Sequence, residues 1–248
     1  MKERYPGVFF SQFTGAELVA DKWNLSREDL DEFALESHQK AANATESKYF
    51  DREILPVEGK NAEGINELVL ADEGIRFDAS LDKLAGLKPV TDGGVITAGN
   101  ASQITDGAAA VMICNDAGLK KIQSNPRAEI VSISVVGDDP VFMLTGPIPA
   151  SKKALEAAGL SIDDMDLYEV NEAFAPVPLA WAHDLEADKS KLNVNGGAMA
   201  LGHPLGATGA KLMTTMLHEL ERRNGNYALQ AICEGGGTAN ATIIKRLS

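Results

Sequence analysis

Three side chains able to do chemistry sit in unusually bare stretches of backbone. His203 lies inside Asn193-Val-Asn-Gly-Gly-Ala-Met-Ala-Leu-Gly-His-Pro-Leu-Gly-Ala-Thr-Gly209, a glycine-rich run that leads into a helical pattern. Cys233 precedes Glu234-Gly-Gly-Gly237, and Asn171 follows the short strand pattern Leu167-Tyr-Glu-Val170. Reactive groups among residues without side chains mark a place where backbone and substrate can approach closely. A histidine just before a helix is near the positive end of the helix dipole, which favours the neutral, proton-accepting imidazole. The N–H groups of the following turn could hold an oxyanion. A cysteine before three glycines is open to approach, and loop N–H groups could stabilise its thiolate. Together a Cys, a His and an Asn suggest acyl chemistry through a thiol without naming the reaction, and a Cys–His hydrolase would use the same residue types. Each also has an ordinary structural explanation: a loop histidine, a small core hydrophobe, a turn-capping asparagine. The glycine spacing fits neither G-x-G-x-x-G nor a Walker loop, so the reading as a nucleotide-phosphate cradle is poor.

The elements that must hold these residues read as α/β. Leu167–Val170 is a short strand ending at Asn171. Thr208–Arg223 is the clearest helix, with Leu212, Met213, Met216, Leu217 and Leu220 on one stripe and Asn224-Gly225 as the stop. Residues 227–233 and 239–247 form strands on either side of the three glycines, and 108–114 and 128–136 read as earlier buried strands. Ser151 reads as the cap of a helix that runs through Ala158 and stops at Gly159. Strands alternating with helices argue for an α/β sheet, where ligands bind at the carboxyl ends of strands. Asn171 and Cys233 fall at such ends, and His203 just ahead of a helix.

Residues 1 to about 105 have a different texture, irregular and helix-bearing. Thr14-Gly-Ala-Glu17 and Ser26-Arg-Glu-Asp29 both place a carboxylate three residues after a hydroxyl, the pattern of a helix N-terminus. The first opens a short helix through Leu18, Val19 and Ala20, the second a longer one with Leu30, Phe33, Ala34 and Ala41 near one face. Asp92-Gly-Gly94 is a turn. A loose likeness between residues 106–110 and 237–241 hints at internal duplication.

The chain has 248 residues, room for one large domain or two modest ones. Its net charge of -13, from 23 basic and 36 acidic residues, argues against a nucleic-acid scaffold. An anionic substrate would need a local basic patch, for which Arg76, Lys83 and Lys88 are candidates. Two cysteines make no disulfide framework, no zinc-type spacing is present, and Cys114 reads as a buried strand residue. No apolar run approaches a membrane span, and Met1-Lys-Glu-Arg-Tyr-Pro6 lacks an apolar leader core, which gives a cytoplasmic expectation.

Several motifs together resemble the thiolase family. These are Asn171-Glu-Ala-Phe-Ala175, Asn195 to Gly209, and Cys233-Glu-Gly-Gly-Gly237, in the family's order and spacing. Thr97-Ala-Gly-Asn-Ala-Ser102 followed by Asp106-Gly-Ala-Ala109, Gly146-Pro-Ile-Pro-Ala-Ser151 and Ser26 to His38 agree as well. The resemblance implies a layered α/β fold. Residues 1–104 would be most of the family's loop domain, 105–127 the last strand region of the N-terminal core, and 128–248 the C-terminal domain. It implies an acyltransferase that cleaves a 3-oxoacyl-CoA with CoA, or runs the reverse Claisen condensation.

By resemblance, His203 would activate a nucleophilic cysteine and, with a water held by Asn171, stabilise an oxyanion or enolate. Cys233 would move a proton to or from the acetyl-CoA carbon. Ser102 would meet the pantetheine arm, Phe174 line the acyl pocket, Arg76 lie near the adenosine end and Lys83 fall in the same CoA-facing region. No covalently bound cofactor and no metal are implied, coenzyme A or acyl-CoA being substrate. The family's acyl-accepting cysteine, in a Cys-x-Ser/Gly-Gly context, has no counterpart here. The expectation is therefore a chain lacking the N-terminal half, inactive and unstable or associated when isolated. It would be a truncated thiolase, one subunit of a split thiolase, or a non-catalytic acyl-CoA-binding module, and in complete form a homo-oligomer. Gln103, Thr238-Ala-Asn240 and Ser11 to Glu17 depart from the biosynthetic pattern and lean toward degradative enzymes, including those with bulky or long acyl chains.

Overall fold

A computed structural model describes residues 3–60, 63–122 and 124–247; Met1 and Lys2, part of the stretch read above for a leader, lie outside the described residues. In chain order the elements are α1 (Gln12–Lys22), α2 (Arg27–Glu46), β1 (Val57–Lys60), β2 (Asn66–Val69), α3 (Leu81–Ala85), α4 (Asp116–Ile122), β3 (Ala128–Gly137) and α5 (Pro147–Ala158). They continue with β4 (Leu167–Val170), α6 (Pro176–Asp184), α7 (Ala198–Leu201), α8 (Thr208–Arg223), β5 (Tyr227–Glu234) and β6 (Thr238–Arg246). Single 3-10 turns cover Ile162–Asp164 and Lys189–Lys191.

The site is carried by a four-stranded mixed sheet of order β3-β6-β5-β4. β4 runs parallel to β5, with Leu167 opposite Ala228 and Val170 opposite Ala231. β5 turns back into β6 antiparallel, with Cys233 opposite Ala239. Helices cover both faces, which is why β5 and β6 are apolar at successive positions instead of alternating. Leu229, Ala231, Cys233, Ala239, Ala241 and Ile243 join α5 residues Ala150, Ala154 and Leu155 in the main core. On the opposite face, Met216 and Leu220 of α8 pack with Leu167, Ala228 and Ile244. α1, α2 and the loops between residues 75 and 102 lie over the same core through Val19, Leu30, Phe33 and Ile96.

Local signals set most helix ends. Ser26 and Asp29 form the expected reciprocal cap of α2. Gly159 and Asn224 end α5 and α8 in left-handed conformations. Two expected starts are corrected. α5 begins at Pro147, whose missing N–H costs nothing in a first turn, and Ser151 lies inside the helix, where its Oγ accepts a hydrogen bond from Trp181 Nε1 at 2.8 Å. α1 begins at Gln12, ahead of Thr14. Glu17 does not serve its own helix end; its carboxylate takes the N–H groups of Val95 and Ile96 at 3.0–3.1 Å. Amides of an irregular loop have no ladder to join and need such an acceptor.

The strand expected at 108–114 does not form. Among the described residues no strand runs beside it, so its backbone groups have no ladder partner and its side chains no face to cover. Met112 and Ile113 are 79% and 66% exposed, and Cys114 is exposed instead of buried. A second uncovered apolar strip lies on β3. Ile133 is in line with Thr242 and Gln230 on the α8 face, but α8 covers β4 and β5 and leaves Ile133 and Val135 exposed.

Met216 fills the fully buried seam between α8 and the sheet. Met216→Ala is expected to cost about 2–5 kcal/mol, read as a lower urea midpoint at constant slope.

Candidate active site

The approach to His203 is shaped by backbone that no side chain could share. After α7 the chain turns at Gly202, with φ 82, where a Cβ would fall 2.4 Å from Thr105 Oγ1. This turn brings the His203 N–H to the carbonyl of Gln103 at 3.2 Å. The His203 Nδ1 atom is 2.7 Å from Thr208 Oγ1. Thr208 gives its own hydroxyl proton to the Pro204 carbonyl at 3.1 Å, so its oxygen accepts from Nδ1–H. That network assigns the tautomer and leaves the lone pair on Nε2, which faces Asn171 Nδ2 at 3.4 Å. Asn171 is buried at the end of β4, its N–H on the Ala231 carbonyl at 3.0 Å, and its Oδ1 accepts no hydrogen bond. The result is an oriented neutral base beside a fixed amide.

Burial lowers the pKa of His203. The direction matches the sequence expectation, but the cause is desolvation and not the helix dipole, since α8 begins five residues later at Thr208. Cys233 corrects a second expectation. Its thiol is 8% exposed in the main apolar core, and burial pushes its pKa up to about 12. The glycines beyond it make the β5–β6 turn, with Gly236 and Gly237 at φ 78 and 82, and do not stabilise a thiolate. A thiol held protonated at neutral pH is a proton donor before it is a nucleophile. Among the described residues no hydrogen bond joins Cys233 to Asn171 or His203; Asn171 and Cys233 follow the paired ends of β4 and β5, and His203 meets that edge through Asn171.

Ser102 and Phe174 also come together at this edge. The Ser102 N–H donates to the Ala173 carbonyl at 2.9 Å, and Ala101 bridges Phe174. Phe174 is buried, its ring edge-on to Phe13 with centroids 5.3 Å apart, so it packs in the core. Arg76 and Lys83 lie apart from the Asn171–His203 pair. The Arg76 N–H donates to His38 Nδ1 at 3.1 Å while its side chain is exposed, and Lys83 is paired with Asp78. A cleft of about 430 Å³ opens beside Pro204, lined by Thr105, Asp106, Gly107, Leu205 and Gly206. The described residues contain no group of three or more His, Cys, Asp or Glu placed to hold a metal ion, and no helix long and apolar enough to cross a membrane.

Sequence reasoning overlooked the residues that hold this arrangement. Gln103 Nε2 donates to the carbonyls of Gly74 and Met199 at 2.8 and 2.7 Å, so it clamps the loop before Arg76 to α7, just ahead of His203. Glu172, 1% exposed, accepts from Ser37, Asn193 and Met199. One signal was available: a lone carboxylate in the otherwise uncharged run from Val170 to Leu179 is costly to bury without such donors.

Known proteins place this geometry in context. The sequence matches the family models Thiolase, N-terminal domain, over residues 8–117, and Thiolase, C-terminal domain, over residues 124–246. It is 54% identical, over 98% of its length, to a steroid 3-ketoacyl-CoA thiolase of Mycobacterium tuberculosis, of which it covers 58%. It is 47% identical to the human mitochondrial 3-ketoacyl-CoA thiolase over 93% of its length, again 58% of that protein. The crystal structure of the human enzyme superposes with a TM-score of 0.91 at 46% identity, covering 95% of this chain and 59% of that one. A Bacillus anthracis acetyl-CoA acetyltransferase structure gives 0.92 at 41%, covering 98% and 61%. The chain thus spans less than two thirds of these relatives' length.

His38 and His203 both have pKa values lowered by burial, His38 also by Arg76. Their folded values lie below the unfolded value near 6.5, so protonation favours the unfolded chain. The stability they confer is complete above about pH 6.5 and is lost as pH falls through their folded values. Their contribution lowers the melting temperature between pH 7.5 and 5.5, against the opposite contribution of Glu169 and Glu172, whose raised pKa values favour the folded chain at lower pH. His38→Gln, whose amide oxygen can still accept the Arg76 N–H, should flatten part of that fall in thermal scans.

Proposed function

Because the chain belongs to the thiolase family and has its α/β fold, we propose that Asn171, His203 and Cys233 are the base, oxyanion and proton-transfer part of an acyl-CoA acyltransferase centre. The reaction is cleavage of a 3-oxoacyl-CoA by CoA, or its reverse, the Claisen condensation of two acyl-CoA molecules. The observation that supports it most is the single assigned tautomer of His203, with the Nε2 lone pair facing Asn171 Nδ2.

In the cleavage direction, Nε2 takes the proton of a cysteine thiol, and that sulfur adds to the 3-oxo carbon. The protonated ring then donates to the developing oxyanion, together with a water held by Asn171. When the C2–C3 bond breaks, its electron pair passes to C2 as an enolate, and the Cys233 S–H delivers a proton there to give acetyl-CoA. A thiol with a pKa near 12 is protonated before this step and regains its proton afterwards. The thiol of CoA then gives its proton to the Cys233 thiolate while its sulfur displaces the acyl group, and the nucleophilic cysteine leaves with the proton held on His203. We take that cysteine to come from outside these 248 residues. Cys233 has the proton-transfer role, and Cys114 lies in the exposed 108–114 segment.

In this reading Ser102 meets the pantetheine arm, Phe174 backs the acyl pocket from the core, and Arg76 and Lys83 face the nucleotide end of CoA, Lys83 by exchanging its Asp78 partner. CoA is substrate, with no covalent cofactor. Residues 1–104 form most of the CoA-covering loop domain, 105–127 the last strand region of the N-terminal core, and 128–248 the C-terminal domain. The name of the mycobacterial relative supports a bulky 3-oxoacyl group. The compartment is cytoplasmic, and the complete enzyme is a homo-oligomer.

The isolated chain is expected to show no CoA-dependent loss of 3-oxoacyl-CoA enolate absorbance. Supplied with the N-terminal part of the mycobacterial relative that it does not span, it should turn over. His203→Ala or Cys233→Ala should each then lower kcat at least 100-fold, on the order of general acid–base effects. Tight CoA binding with no turnover on mixing would instead establish a non-catalytic acyl-CoA-binding module. Alone, the chain should self-associate through its uncovered apolar strips. Ile133→Lys with Val135→Lys should lower its sedimentation coefficient at equal concentration.

A further inference from the structure

We infer that Glu172 is a positioning residue of this centre: its buried carboxylate seats the glycine-rich loop, and with it His203, against Asn171. The inference takes His203 and Asn171 as the working pair from the proposed function. Its geometry stands independently of any turnover.

Two segments distant in sequence, α2 and the stretch from Asn193 through α7, meet at this one group. Oε2 accepts the Ser37 hydroxyl at 2.7 Å, from α2, and the Met199 N–H at 3.1 Å, from α7. Oε1 accepts Asn193 Nδ2 at 2.9 Å, from the start of the glycine-rich loop. Asn193 is itself bound to β4, its Oδ1 taking the Val170 N–H and its Nδ2 reaching the Val170 carbonyl, both at 2.9 Å. Ser37 Oγ also accepts the Gly197 N–H at 3.0 Å, so its only proton is committed to the carboxylate. The loop is therefore held at Asn193, Gly197 and Met199. Asn171 is covalently adjacent to Glu172, and His203 follows Met199 by four residues.

The glycines of the loop fit this reading. A Cβ on Gly197 would sit 2.2 Å from Glu172 Cδ, and one on Gly196 would meet the Ser37 carbonyl at 2.6 Å. These positions are bare because the loop lies directly on the carboxylate and its α2 partner. All three direct partners are donors, so only an acceptor-only group satisfies them together. A glutamine of the same shape would set its NH₂ against one of them. On balance burial raises the pKa of Glu172, and its hydrogen bonds with Ser37, Asn193 and Met199 offset part of that rise.

The role predicts an effect on His203 itself. Its depressed pKa comes from burial, and its single tautomer depends on the seated turn that brings it to Thr208. The test is ring-nitrogen NMR of the ¹⁵N-histidine-labelled full chain, which has four histidines, with His203 identified by His203→Gln and exposed His183 as internal control. The parent should show a single Nδ1–H form titrating below 6.5. In Glu172→Gln and in Ser37→Ala, His203 should populate both tautomers, and its titration midpoint should rise by about 0.5 or more, with His183 unmoved. Ser37→Ala removes one hydroxyl and keeps the carboxylate, so it carries the test if Glu172→Gln does not fold. Variants that melt earlier but leave the His203 tautomer and midpoint at parent values would overturn the role and make Glu172 an ordinary core residue. Acyl-CoA turnover is not the readout, so failure of the acyltransferase reading and failure of this one are separately visible.

Discussion

The close approach of the 193–203 loop to the end of β4 is the constraint from which the rest of the site follows. A loop can lie that near a strand end and a neighbouring helix only where it has no side chains. Gly196, Gly197 and Gly202 each occupy a position where a Cβ would collide with α2, with Glu172 or with Thr105. Once seated, the loop delivers the His203 ring to two partners at once, Thr208 on one nitrogen and Asn171 on the other. The glycines give up conformational entropy to reach this state, and the hydrogen bonds that meet them offset it.

Buried carboxylates show how one environment can give two outcomes. Glu169 and Glu172 are three residues apart, both fully buried, and burial raises the pKa of both. Glu172 has three donors, one from α2 and two from the 193–203 loop. Glu169 has a carboxylate oxygen with no partner, and burial together with the neighbouring Glu172 pushes its pKa well above the usual carboxylate range. The difference is donor supply and the carboxylates around Glu169, and not depth. The same reasoning separates the two reactive groups. Burial depresses an imidazole and raises a thiol, so the same physical effect prepares His203 to accept a proton and Cys233 to keep one.

Much of the fold was legible before any coordinates. β4, β5, β6, α8 and the capped start of α2 follow from periodicity and capping chemistry, which act over a few residues. The misreadings have one physical origin, which is partners lying far away in the chain. The 108–114 run is as apolar as a strand should be, but strand formation needs a ladder beside it. Glu17 has the spacing of a local cap, but amides 78 and 79 residues away claim it. Ser151 reads as a cap and instead receives Trp181.

The same division holds for the candidate site. Asn171, His203 and Cys233 were visible in the sequence because reactive side chains among glycines and at strand ends are a local pattern, and the motif order carried the family. The tautomer of His203, the desolvation that depresses it, the thiol state of Cys233, and the clamps made by Gln103 and Glu172 belong to the tertiary structure alone. Glu172 and Ser37 are 135 residues apart in sequence. A local pattern can name a carboxylate or a hydroxyl, but the burial and the donor geometry that decide what it does exist only after distant segments have packed together.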